Sequence, residues 1–155
     1  MDGARVRVSS VLRVALISPE VVALLLPFAL MPHAAFLDDL ALILKDRKFE
    51  LFAAAAYPFA VLIYGIGQAS GIISPSGKRS VLLEWSEYNV LKTTIYVAIA
   101  LILVSFAVSL YGYVKFIVDG ERLGLVAICA GAVSSSVSAF TLILAYWRSR
   151  EIIGE

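Results

Sequence analysis

Residues 123–147 read LGLVAICAGAVSSSVSAFTLILAYW, 25 positions without one charged side chain. A helix rises ~1.5 Å per residue, so about 20 such residues cross a hydrocarbon layer of ~30 Å. Lipid offers the backbone no hydrogen-bond partner, so a continuous apolar run closes its bonds internally as an α-helix. The strict alternation of a membrane β-strand is missing. The run is not uniformly apolar, however. Ala127, Gly131, Ser134, Ser138, Thr141 and Ala145 recur at spacings of four, three, four, three and four, with Ser135 beside them. Small residues on one helix face let backbones approach closely, and hydroxyls bond across the contact.

Working outward, three further charge-free runs appear, at 21–37, 51–73 and 93–114. The second and third have spanning length. The first has 17 residues and needs its polar flanks to reach across. The expected architecture is all-α: a polytopic membrane protein with four transmembrane helices in one bundle. The whole chain, 1–155, forms a single domain with spans at about 18–37, 51–73, 90–115 and 123–147. Ser18-Pro19-Glu20 reads as a helix start, with a hydroxyl N-cap, a proline at the first helical position and an early carboxylate. Pro27 and Pro32 then predict a kinked or broken first helix, because each removes a donor and crowds the preceding turn. Val81, Leu82, Trp85 and Tyr88 recur at helical spacing around Glu84 and Glu87, which predicts a short amphipathic segment before the third span. The tight Asp119-Gly120-Glu121-Arg122 link makes the last two spans antiparallel neighbours.

Composition agrees. Of 155 residues, 61% are hydrophobic and 16% charged, and the mean hydropathy is +0.90. Soluble domains hold about a quarter charged residues. A net charge of +1 gives no nucleic-acid footprint. The lone Cys129 forms no internal disulfide, and a lone His33 excludes multi-histidine metal chemistry. Arg5, Arg7 and Arg13 flank the first apolar run, but Glu20 inside it and the weak cleavage context at Pro32 argue for an uncleaved first helix. Lys and Arg in the flanks of four spans divide eight to five, which places both termini in the cytoplasm, with a bacterial inner (plasma) membrane as the expected location.

No nucleophile–base pair, metal cluster, phosphate loop or zinc-protease signature can be assembled, so neither an enzyme nor a cofactor is expected. No Glu or Asp falls in the middle of a run, as a proton-coupled exporter would need. The candidates for function are therefore few. Gly131, Ser134, Ser135, Ser138 and Thr141, with Gln68, are expected to line or brace a path. Tyr57, Tyr64 and Gln68 share one face of the second span, beside a Gly67-x-x-x-Gly71 pair. A weaker small-residue stripe on the third span includes Ser105, Ser109 and Gly112. Asp38, Asp39 and His33 are candidates for a mouth or a pH-responsive site. Arg79, Glu84, Trp85 and Glu87 are candidates for docking a cytoplasmic protein partner. The leading expectation is a small membrane protein that self-associates into an oligomeric pore, a channel-like bundle or a membrane-perturbing assembly. The alternative is a non-conducting anchor or sensor subunit, as in a bacterial toxin or defence system. The expected partners are the lipid bilayer, further copies of the chain in the leading reading and a cytoplasmic protein in the alternative, and not nucleic acid.

Overall fold

The structure, a computed structural model, describes residues 18–33, 36–75 and 77–154, with side chains described except those of residue 33 and residues 77–80. Helix α1 runs over Pro19–Leu30, and a 3-10 turn follows at Met31–His33. Helix α2 occupies Phe36–Leu44 and α3 Lys48–Ile73. A 3-10 segment covers Gly77–Glu84. The long helices α4, Tyr88–Asp119, and α5, Arg122–Ile153, complete the chain. The all-α expectation holds among the described residues.

Among the described residues three helices, α3, α4 and α5, are long and apolar enough to cross a membrane. The first expected span, 18–37, is not one such helix. Ser18 does cap α1, accepting from the Val21 amide at 3.4 Å, and Pro19 stands in its first turn. Pro27 lies inside α1 without ending it; the break comes at Pro32, within the 3-10 turn. At 12 residues α1 rises only about 18 Å. The short segment before the third span is 3-10 helical over Gly77–Glu84, with Leu82 fully buried and Val81, Leu83 and Glu84 exposed.

Helices α4 and α5 form the closest seam, while α3 packs on both and α1 lies along α5. The turn between α4 and α5 uses Gly120 at φ 68°, a left-handed conformation that favours glycine. Small residues bring the backbones of α4 and α5 together. A Cβ placed on Gly131 would come 2.5 Å from the Ser105 carbonyl oxygen, and one on Gly112 2.5 Å from that of Gly124.

The apolar core is divided. One cluster joins Leu62, Ala69, Leu82, Leu91, Ile95, Ile102 and Leu142 toward the 3-10 end. The other joins Leu51, Ala55, Phe116, Leu125 and Ile128 toward the α4–α5 turn. Between them lie Ser105, Ser109, Ser134, Ser135 and Ser138, all fully buried. Outside, Leu25, Leu30, Ile63, Leu103, Val104 and Phe140 are exposed, a surface suited to lipid chains.

Candidate functional site

The hydroxyl layer of α4 and α5 is where α1 arrives. Glu20, in the first turn of α1, is 4% exposed. Thr141 Oγ1 donates to its carboxylate Oε1 at 2.5 Å. Ser134 Oγ donates to its backbone carbonyl at 3.0 Å. Ser105 Oγ on α4 sits 3.0 Å from Ser134 Oγ and 2.8 Å from the Leu101 carbonyl, with one proton for the two acceptors. A polar chain therefore crosses the bundle from α4 through α5 to α1. Ser134 and Thr141 lie near the midpoint of the 123–147 run, so Glu20 is held about halfway along α5. Glu20 is at the start of its own helix, but that helix begins in the middle of its neighbour.

Two hydroxyls of the layer are unsatisfied among the described residues. Ser109 Oγ and Ser138 Oγ are buried without a hydrogen-bond partner. Ser138 stands on the same α5 face as Ser134 and Thr141, between the two residues that hold Glu20. Ser109 packs where Gly131 leaves space, 3.3 Å from the position of a Cβ there. Ser135 donates back to the Ala132 carbonyl at 3.0 Å. Gly131, Ser134, Ser135 and Ser138 of the α5 stripe are thus buried within the subunit, and Thr141 is half-buried on Glu20.

The other sequence candidates are distributed elsewhere. Asp38 pairs with Arg122 through both carboxylate oxygens, joining α2 to the start of α5. Asp39, by contrast, is exposed one position along. The side chains of His33 and Arg79 lie outside the described residues. Trp85 is half-buried against the core, and the Arg148 guanidinium lies 5.9 Å over its ring. Glu84 and Glu87 are exposed at the same end. Among the described side chains, structure therefore separates the docking candidates: Trp85 braces the bundle, and Glu84 and Glu87 face outward.

Gln68 is not with the α5 stripe. It lies half-buried on the flank of α3 and makes no hydrogen bond among the described residues. Tyr64 and Tyr57, about one and three turns before it on the same face, are exposed. The Tyr57 hydroxyl and Ser136 Oγ are 3.0 Å apart, which marks this face as the seam of α3 with α5. Gly67 is also exposed, with nothing within 4 Å of an added Cβ. Sequence reading missed the assignment of Glu20 to the layer. Its only local signal was a carboxylate in an otherwise apolar run, which the helix-start pattern explained equally well. No protein-family model, curated protein or solved structure matches this chain.

Proposed function

We propose that this chain is the subunit of a homo-oligomeric, channel-like assembly, with the outward α3–α5 seam turned toward neighbouring copies. The observation that carries this reading is the half-buried Gln68 amide, unpartnered among the described residues, on the flank of a helix long and apolar enough to span. A primary amide facing hydrocarbon without a partner costs several kcal/mol on transfer scales, about 4–8 into a non-bonding solvent. A second subunit or a hydrated axis removes that cost. Tyr57, Ser136 and Tyr64 extend the polar seam. Gly67 lets another backbone approach closely. In this reading the hydroxyls of α5 brace the subunit instead of lining the path. The α1–α2 arm completes the bundle as a fourth, broken crossing. The eight-to-five distribution of Lys and Arg supports cytoplasmic termini in a bacterial inner membrane.

Disulfide trapping tests the assembly. In a Cys129→Ser background, Gly67→Cys and Ala60→Cys should give covalent dimers in membranes, while Val104→Cys on the outer face of α4 should not. Liposomes containing the wild type should pass small ions, and Gln68→Leu should slow that flux severalfold. A chain that remains monomeric in nanodiscs, or a stable oligomer with no conductance, would overturn the proposal.

A further inference from the structure

We infer that the groove between the α2–α3 turn and the end of α4 binds the headgroup of one phosphatidylethanolamine molecule. The groove holds about 320 Å³, at the low end of the ~300–1,000 Å³ of ligand pockets, which suits a headgroup rather than a whole lipid. Lys45, Asp46 and Lys48 line it from the turn, and Ile117, Val118 and Asp119 from α4. Two cations and two carboxylates thus share one groove of no net charge. They do not neutralise one another. The side chains of Lys45, Asp46 and Lys48 make no ion pair or hydrogen bond among the described residues. Asp119 meets Lys115 at 2.6 Å, but that one ammonium also serves Glu121 at 3.5 Å. One cation for two carboxylates leaves acceptor capacity at the end of α4.

The charge pattern chooses the headgroup. Lysine ammoniums donate to phosphate oxygens, and carboxylates accept from a primary ammonium. Phosphoethanolamine carries both groups on one short link and is neutral overall, like the groove. An anionic headgroup gains the lysines but meets Asp46 and Asp119 with the wrong sign. A choline headgroup has no N–H to donate. The helix ends agree in sign: α3 begins at Lys48 without a side-chain cap, its positive end beside the lysines, and α4 ends at Asp119 with its negative end. Depth makes the source a lipid. Both walls stand where α3 begins and α4 ends, and each helix is long and apolar enough to span. From the groove, Val118, Val114 and Tyr111 run back along one face of α4 at spacings of four and three, all exposed. That apolar track suits an acyl chain.

The test is native mass spectrometry of the full chain, released from detergent with added lipids of identical acyl chains. The wild type should retain phosphatidylethanolamine about tenfold more tightly than phosphatidylcholine or phosphatidylglycerol, as one or two charge-assisted hydrogen bonds provide. Asp46→Asn with Asp119→Asn should abolish that preference and strengthen retention of phosphatidylglycerol, a gain that misfolding does not produce. Lys45→Gln with Lys48→Gln should weaken retention of all three lipids. Lys92→Gln, at the other end of α4, should keep the wild-type pattern. Soluble phosphoethanolamine at the concentration of the lipid should not displace it; displacement would overturn the lipid as occupant. Equal retention of the three lipids by the wild type, or tighter retention of phosphatidylglycerol, would overturn the inference. So would an ethanolamine preference that survives loss of both aspartates.

Discussion

Gly112 on α4 and Gly124 on α5 face each other so closely that a Cβ on either meets the other's carbonyl oxygen, at 2.5 and 2.6 Å. Both neighbours at this crossing are backbone, which has no rotamer to yield. Alanine normally gains up to ~1 kcal/mol over glycine inside a helix. Here overpacking of about 1–3 kcal/mol opposes that gain. Gly124→Ala should therefore lower stability in detergent unfolding, and Gly124→Leu should lower it further. Gly67→Ala is the control, with open space around it, and should leave stability unchanged or slightly raised.

Ser105 and Ser109 lie one turn apart on α4, both fully buried, yet only Ser105 has partners. Removing a satisfied hydroxyl leaves its partner unpaired, whereas removing an unsatisfied one relieves a desolvation cost. Ser105→Ala should destabilise by about 1 kcal/mol, and Ser109→Ala should be neutral or stabilising by a similar amount. Equal losses at both positions would contradict this account of the hydroxyl layer.

The Tyr88 hydroxyl lies 3.0 Å from both the Ile72 and Ile73 carbonyls, closing the end of α3 from the start of α4. Those carbonyls belong to the last turn, which has no donors of its own. Tyr88→Phe should cost about 1–2 kcal/mol and speed amide exchange near residue 74, while leaving the opposite end of the bundle protected.

The Asp38–Arg122 pair is bidentate but about half exposed on both sides. Water and salt screen such a pair, so its net worth is about 0.2–1 kcal/mol. A double-mutant cycle with Asp38→Asn and Arg122→Gln should return a coupling in that range, falling as salt rises. A coupling several times larger would mean that the pair is shielded by something beyond the described chain.

Much of this organisation was legible from residues alone. The uninterrupted runs at 51–73, 93–114 and 123–147 determined three long helices, because lipid leaves an apolar backbone no other way to bond. The spacing from Ala127 to Ala145 showed that one helix face was built for close approach. Ser18-Pro19 marked the start of α1 for reasons of capping and fixed φ. What those patterns could not contain was which neighbour each face meets. Glu20 and Thr141 stand 121 positions apart, and their hydrogen bond depends on where α1 lies along α5. Periodicity gives a side chain its direction around its own helix axis, but no depth in the bundle. Only the tertiary packing buried the serines of the stripe, left Gln68 without a partner among the described residues, and set the Glu20 carboxylate on Thr141. Helix formation here follows from solvent and local sequence; the charge and hydrogen-bond balance of the interior follows from contacts between segments far apart in the chain.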